Sequence, residues 1–356
     1  MTNDNAVGDI FTQAISPVPL ESVDSLVREL YGIQPDGLAR LTGERDQNFR
    51  ITARDGRRYV LKVTHPSEPR AVTEMQTMVF RHIAQVDPNL PVQALVPSQT
   101  AGDSSLQKID SHNTAVVRLF TYLEGTPLHT QAPDARHRES IGTIHARLDR
   151  ALRGLDHPAA DHELLWDLKQ MGKMRPLLGH IASAQDRRLA EMFLDDYDRH
   201  AARGVQSLRQ QLIHNDLNPY NILVDPHSGS VTGILDFGDV VKAPLLNDVA
   251  IAASYFVPAG GAHPLAWAAE YVAAYHAVTP LEPNEVDLLF PLITARLVMT
   301  VAITGWRAAL HPENSTYILR NNGRAWDGLR QLSGITFQEG QEFFRSACLL
   351  PTPQAN

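Results

Sequence analysis

Hydrophobic residues recur with two different periods along the chain. In the first third, short β-branched runs alternate with turn residues, and Asp55-Gly56 is a strong hairpin signal followed directly by a strand at 59–63. Helical spacing predicts one helix at 22–31, capped by Ser22, and another from about 69 to 82. The other strands predicted in this part lie at 37–41, 48–53, near 96 and at 114–122. The pattern therefore indicates a small antiparallel sheet with a helix.

The pattern changes at Glu124-Gly125-Thr126-Pro127, after which the spacing of apolar residues is mainly helical. Within this helical part, β-branched runs at 222–224 and 231–235 predict an embedded hairpin. The predicted helices lie at 140–153, 163–174, 187–209, 264–277, 285–309 and 322–332. We predict an α+β chain divided into a loose leader at 1–20, an N-terminal lobe at 21–123 and a larger C-terminal lobe at 124–356.

Composition narrows the function classes. The 356 residues include 32 Lys and Arg against 40 Asp and Glu, a net charge of −8, which argues against a nucleic-acid partner. The one cysteine, Cys348, allows neither an intrachain disulfide nor a cysteine-based zinc site. Residues 292–309 are apolar but interrupted by Arg296 and Arg307, which predicts a buried helix rather than a membrane span. The N-terminal residues show no secretory signal pattern, so we expect a cytoplasmic protein, and its oligomeric state stays open.

The residues with the most informative spacing are His214-x-Asp216-x4-Asn221, followed by Asp236-Phe237-Gly238. Phosphoryl transfer requires a carboxylate at the attacking hydroxyl and magnesium ions that bridge the phosphate oxygens. An Asp and an Asn five positions apart, on a loop entering a hairpin, can face the same phosphate. An Asp at the end of the hairpin's second strand can reach the same metal. The spacing therefore indicates phosphoryl transfer.

These two segments resemble the catalytic and metal-binding segments of the kinase fold, and more closely those of the aminoglycoside phosphotransferase and choline kinase branch. The resemblance implies a protein-kinase-like fold with two lobes. It also implies Asp216 as catalytic base and Asn221 and Asp236 as Mg²⁺ ligands. Asp248 matches the acidic position that supports the catalytic loop in this branch, and His214 belongs to the same support.

The resemblance extends to the nucleotide site of the N-terminal lobe. Lys62, on the strand at 59–63, matches the lysine that contacts the α- and β-phosphates, and Glu74 on the following helix is its predicted partner. The alternative for Glu74 is an exposed glutamate without this role. The phosphate-covering loop at 42–49 lacks the Gly-x-Gly-x-x-Gly of protein kinases, and the base of ATP or GTP is expected against 118–124. The other predicted nucleotide contacts are Gly43, Asn48, Thr121 and Leu123.

Further stretches resemble one subgroup, the hydroxylysine kinase-like phosphotransferases. They include 44–49, His157-Pro158-Ala159 and Trp166-Asp167, and the likeness runs from about 27 to 332. It implies transfer of a γ-phosphate to a hydroxyl of an amino alcohol or hydroxy amino acid. An aminoglycoside-modifying kinase and a catalytically silent nucleotide-binding protein are the alternatives.

The residues suggest where such a small, hydroxylated amine would bind. Asp239 is the acidic candidate for the amine, while Arg296, Trp306 and Tyr317 are candidates to line the pocket from the C-terminal helices. An arginine suits a substrate carboxylate. The alternatives are core packing for the two aromatic residues and an internally paired helix arginine for Arg296.

Overall fold

The computed structural model describes residues 17–43, 45–109, 113–257 and 263–351. Most of the predicted leader and Glu44 of the predicted phosphate-covering loop lie outside these residues. The described chain forms two compact units. The N-terminal unit holds the residues up to Glu124 together with His157–His162, and the C-terminal unit holds the remainder.

The N-terminal unit is an antiparallel sheet with two helices. Its elements are α1 (Leu20–Tyr31), β1 (Pro35–Leu41), β2 (Gln47–Ala53), β3 (Arg58–Val63), α2 (Arg70–Val86), β4 (Leu95–Val96), β5 (Ser105–Lys108) and β6 (Thr114–Thr121). The strands pair in the order β1-β2-β3-β6-β4, and β5 also pairs with β6. Phe49, Ile51 and Leu61 are fully buried on one face of the sheet. Because side chains alternate along a strand, Asn48 and its register partner Lys62 lie on the other face.

The start of α1 corrects one prediction. The helix begins at Leu20 rather than at Ser22, and its N-cap is Pro19, which makes no side-chain capping hydrogen bond. Pro19 fixes an extended backbone before the first turn, and the apolar stripe of Val23, Val27 and Leu30 packs into the core of the unit. Burial of this stripe, rather than a polar cap, therefore determines where the helix starts.

The C-terminal unit is mainly helical. Its helices are α3 (Ala135–Leu152), α4 (Met174–Leu177), α5 (Ala184–His200), α6 (Leu245–Ser254), α7 (Ala266–Val278), α8 (Pro283–Leu310), α9 (Ser315–Ile318), α10 (Asn322–Leu332) and α11 (Phe337–Ala347). Its strands are β7 (Thr126–Pro127), β8 (Gln210–Ile213), β9 (Ile222–Val224), β10 (Val231–Ile234) and β11 (Val241–Pro244). They form a β10-β9-β7 sheet and a β11-β8 pair. The predicted hairpin is therefore present as β9 and β10.

Helix α8 is the central element of this unit. Among the described residues it is the one helix long and apolar enough to cross a membrane, yet 94% of its most apolar window is buried inside the protein. That burial is typical of a core helix. Helices α5, α6, α10 and α11 all pack against it.

Several predicted helices differ from the observed ones. The stretch predicted as a helix at 163–174 contains only a 3-10 segment, Leu168–Lys173, because the Asp167 carboxylate caps the N–H of Lys169 in a tight turn. The helix predicted to reach 209 ends at His200, and the chain then enters β8. Helix α6 was missed because it is buried on every side and so has no amphipathic period. Helix α11 was also missed, although Thr336 and Glu339 form a capping box at its start.

Candidate active site

The predicted catalytic loop connects β8 to β9. Both oxygens of the Asp248 carboxylate, on α6, accept backbone hydrogen bonds at 2.8 Å, one from His214 and one from Asn215. Asn215 has a φ of +65°, a left-handed conformation that is costly for a non-glycine residue. The two hydrogen bonds hold this conformation. Asp248 thus supports the backbone of the loop that carries Asp216.

The imidazole of His214 is buried and packs edge-on against Phe237, with ring centroids 4.7 Å apart. Its Nε2 lies 3.0 Å from the carbonyl oxygen of Leu235, and its Nδ1 accepts from the N–H of Asp216 at 3.3 Å. Burial lowers the pKa of His214, so the ring is neutral at physiological pH. His214 therefore connects the loop to the segment that carries Asp236.

The Asp216 carboxylate is held from several directions. Its Oδ2 accepts hydrogen bonds of 2.9 Å from the amide nitrogens of Asn218 and Asn221, and its Oδ1 lies 3.5 Å from the Arg296 guanidinium. Burial and the nearby Asp239 carboxylate raise the pKa of Asp216 to about 7, against the opposing charge of Arg296. A quarter of the side chain remains exposed. The Asp216 carboxylate is therefore held in one orientation and is accessible to solvent. Its pKa suits a group that accepts a proton at neutral pH.

The predicted metal ligands Asn221 and Asp236 are brought together by the hairpin. The N–H of Leu235 donates to the carbonyl of Asn221 at 2.8 Å, which places Asp236 beside Asn221. Asp236 has a φ of +58°, and its carboxylate is exposed at the end of β10, where it also caps the N–H of Gly238. A carboxylate and an amide oxygen are the hard oxygen donors that Mg²⁺ binds. The residues present therefore fit a magnesium ion.

A fully buried charge cluster lies behind the loop. His145 on α3 has its Nε2 3.2 Å from Asp248 and 3.6 Å from Asp149. Tyr275 donates to Asp149 at 2.6 Å, and Tyr271 lies 2.5 Å from the Nδ1 of His145. Burial raises the pKa of Asp149 to about 8, which leaves the negative charge of the cluster mainly on Asp248. The cluster positions the carboxylate that in turn holds the loop.

Arg296 is buried and already contacts other protein groups, so it is not available to a substrate carboxylate. Its side chain is 3% exposed, donates to the carbonyl oxygen of Trp166 at 2.9 Å and stacks on the indole of Trp166. Its charge also lies close enough to Tyr255 to oppose the rise that burial causes in the pKa of that residue. Because these groups and Asp216 already surround the guanidinium, the structure assigns Arg296 to Asp216 rather than to a ligand.

The remaining predicted pocket residues have different surroundings. Asp239 ends the 3-10 segment Phe237–Asp239 and is close enough to Asp216 to raise its pKa. Trp306 is half-buried near the end of α8. Tyr317 is half-buried on the short helix α9. The Arg320 guanidinium carbon lies over its ring, 3.9 Å from the ring centroid. Of the three, only Asp239 has a described electrostatic effect on Asp216.

In the N-terminal unit, Lys62 pairs with a residue that the sequence analysis did not select. Its Nζ lies 2.9 Å from Asp46, whose other oxygen accepts from the N–H of His65 at 2.9 Å. Burial would raise the pKa of Asp46, but the Lys62 ammonium and the His65 N–H outweigh burial and lower it. Glu74, the predicted partner, has a half-exposed side chain that pairs instead with Arg70 at 2.8 Å. Four residues separate these two on α2, so the pairing is local.

The other predicted nucleotide contacts lie in the same unit. Gly43 is required by close packing, since a Cβ there would lie 2.4 Å from the Asp46 carbonyl oxygen and 2.8 Å from the Asn48 amide. The backbone N–H of Thr121 donates to Ala94 at 2.9 Å, so this group is not available to a base edge. No described residue hydrogen-bonds the backbone of Leu123, which leaves it as the better candidate for that contact.

Sequence reasoning missed three residues of these sites. Asn218 lies two positions after Asp216, within the motif itself, and could have been found there. Asp46 lies in the predicted phosphate-covering loop, but its contact with Lys62 depends on the approach of that loop to β3. Tyr255 is distant from the motif in sequence, and no pattern pointed to it.

Comparison with known proteins shows the family. A profile of the phosphotransferase enzyme family matches residues 37–287, well over half of the chain. The chain belongs to this family. The predicted enzyme class, a small-molecule kinase with an alcohol acceptor, is therefore confirmed. The predicted α+β, protein-kinase-like fold class is confirmed as well.

The chain is similar in sequence to proteins named hydroxylysine kinases. Hydroxylysine kinases of Mus musculus and Danio rerio are 27% and 28% identical to it, over 94% and 90% of this chain and 91% and 95% of theirs. The predicted likeness to hydroxylysine kinase-like phosphotransferases is thereby confirmed.

Solved structures agree on the fold. An amicoumacin kinase in complex with AMP-PNP and Ca²⁺ has a TM-score of 0.66 at 14% identity, covering 90% of this chain and 96% of that one. A microcompartment-associated aminopropanol kinase has a TM-score of 0.61 at 16% identity, covering 93% and 99%. At these identities the likeness concerns the fold alone.

Proposed function

We propose that this kinase transfers the γ-phosphate of ATP or GTP to the hydroxyl of a hydroxy amino acid or amino alcohol of the hydroxylysine type, with Asp216 as catalytic base. The observation that carries the proposal is the Asp216 carboxylate, fixed by two amide donors yet a quarter exposed. The similarity to hydroxylysine kinases over most of the chain supports the acceptor class.

In this proposal the acceptor hydroxyl donates a hydrogen bond to Asp216. Its oxygen attacks the γ-phosphorus, the bond to the β-phosphate oxygen breaks, and the hydroxyl proton passes to Asp216. Asn218 and Asn221 keep the carboxylate in one orientation throughout. Asn221 and Asp236 would hold Mg²⁺, which neutralises charge on the phosphates when bound. Lys62, oriented by Asp46, would bind the nucleotide phosphates from the N-terminal unit.

The test is a panel of acceptors with ATP and with GTP. It contains hydroxylysine, homoserine, choline, ethanolamine and kanamycin, and nucleoside diphosphate release and the phosphorylated product are both measured. We expect the highest kcat/KM with hydroxylysine. Turnover of kanamycin alone would instead assign the chain to antibiotic modification, and nucleotide binding without turnover of any acceptor would indicate a silent binding protein.

A further inference from the structure

A small cleft lies in the C-terminal unit between α6, α8 and the start of α10. Its enclosed part has room for about one water-sized group, and the rest is open to solvent. Its polar lining residues are Ser254 and Tyr255 at the end of α6, Thr300 on α8, and Asn321 and Arg324 at the start of α10. Leu297 and Ala325 complete the described lining, most of whose exposed surface is apolar, and none of the described lining residues is acidic.

Tyr255 connects this cleft to Asp216. Besides lining the cleft, it lies near Arg296, whose guanidinium is 3.5 Å from the Asp216 carboxylate. Burial raises the pKa of Tyr255, and the negative charge of Asp216 raises it further. Tyr255 and Arg296 therefore connect the cleft to the proposed base.

Arg324 is the cation of the cleft, and its surroundings differ from those of Arg296. Arg324 has an exposed side chain and forms no ion pair or hydrogen bond with any residue that the structure describes. Arg296 is enclosed by Asp216, Trp166 and Tyr255. A guanidinium offers a planar pair of N–H donors that matches a carboxylate. Of the two arginines, Arg324 is therefore the one free to bind an anionic group.

We propose that this cleft binds the α-carboxylate of the acceptor, with Arg324 as its charged partner and Tyr255 and Asn321 as neighbouring polar groups. The inference rests on the proposed kinase function and deepens it. It identifies the acceptor as a hydroxy amino acid and excludes amino alcohols that lack a carboxylate as good substrates. Arg324 thereby acts as a specificity-determining residue and takes no part in the chemical step.

The experiment compares hydroxylysine with its decarboxylated form, which keeps both amines and the hydroxyl. In the wild-type enzyme we expect kcat/KM to favour hydroxylysine by about 10- to 100-fold, the range of a charge-assisted hydrogen-bonded pair. In Arg324→Gln this preference should fall to within about 3-fold, mainly through the KM for hydroxylysine. Arg324→Lys, which keeps the charge but not the planar fork, should restore part of it.

Arg330→Gln is the matched control, since Arg330 lies on the same helix, is exposed, and pairs with Asp186 outside the cleft. It should keep the wild-type preference. An equal preference in Arg324→Gln and in the wild type would overturn the proposal, as would a wild-type enzyme that uses both acceptors equally well.

Binding of lysine, which has the carboxylate but no hydroxyl, separates this proposal from the kinase function. Calorimetry should detect lysine binding to the wild-type protein and its loss in Arg324→Gln. That result would support the carboxylate site even if no acceptor of the panel were turned over, in which case only the proposed function would fail. Equal lysine binding by the two proteins would overturn the site while leaving the kinase function intact.

Discussion

The catalytic loop of the C-terminal unit and the lysine strand of the N-terminal unit support their charged groups in different ways. Asp216 is held by two side-chain amides and an arginine, and the loop behind it is fastened by the buried Asp248. The Lys62 ammonium pairs with the Asp46 carboxylate, and both side chains are about 15% exposed. The Asp248 contacts behind the loop are fully buried and resist rearrangement because each loss leaves an unpaired polar group, whereas the partly exposed Lys62–Asp46 pair can exchange its partner for water or phosphate. We therefore expect substitutions in the loop to have larger effects than those on the strand.

The largest expected effect belongs to Asp216. Asp216→Asn keeps the shape and the amide contacts but cannot accept the hydroxyl proton, so kcat should fall by about 10³-fold while nucleotide affinity stays close to the wild type. Steady-state kinetics and nucleotide titration measure the two quantities. Asp225→Asn, on the exposed hairpin turn, is the control. Activity within a few-fold of the wild type would remove Asp216 from the base role.

The second-largest effect on activity is expected for substitution of Asp236. Its exposed carboxylate is the proposed Mg²⁺ ligand, so Asp236→Asn should reduce kcat/KM on the order of 100-fold and shift the Mg²⁺ dependence of activity to higher concentration. Titration of activity with MgCl₂ at fixed nucleotide tests this. A loss of turnover with an unchanged Mg²⁺ dependence would contradict the ligand role.

Substitution of Asp248 tests whether this buried carboxylate holds the catalytic loop. Asp248→Asn removes the negative charge beside His145. It also replaces one of the two oxygens that accept a backbone N–H by an NH2 group, which cannot accept that bond. The substitution should lower the free energy of unfolding by about 3 kcal/mol. Urea denaturation measures the change. Asp327→Asn, an exposed residue of α10, should change stability by less than about 1 kcal/mol. Equal effects of the two substitutions would show that the buried carboxylate does not hold the loop.

The smallest effects are expected around Lys62. Two variants test whether Asp46 or Glu74 is its functional partner. Asp46→Asn should raise the KM for nucleotide about 10-fold, because Lys62 loses the carboxylate that orients it. Glu74→Gln should change that KM less than about 2-fold, because Glu74 forms only an exposed local pair with Arg70. The reverse order of effects would restore Glu74 as the functional partner of Lys62.

The fold was predictable where the local pattern was unambiguous. The hairpin of β9 and β10, the strand carrying Lys62 and the bounds of α10 all follow from runs, turns and spacing that lie close together in sequence. Helix α6 was not predictable in this way, since a helix buried on all sides loses the amphipathic period. The 3-10 segment after Asp167 was decided by one side-chain cap that competes with helix formation.

Spacing along the chain was sufficient to predict the parts of the site that belong to one short segment. Asp216 and Asn221 are five residues apart, and the hairpin returns Asp236 to them, so chain geometry alone brings these groups together. Only the tertiary structure decided the partners that come from distant elements. Packing placed Arg296 against Asp216, Asp46 against Lys62 and Arg324 in the cleft beside Tyr255. The physical reason is that a charged side chain is paired by its three-dimensional neighbours, and spacing along the chain reports only those within the same local turn, strand pair or helix.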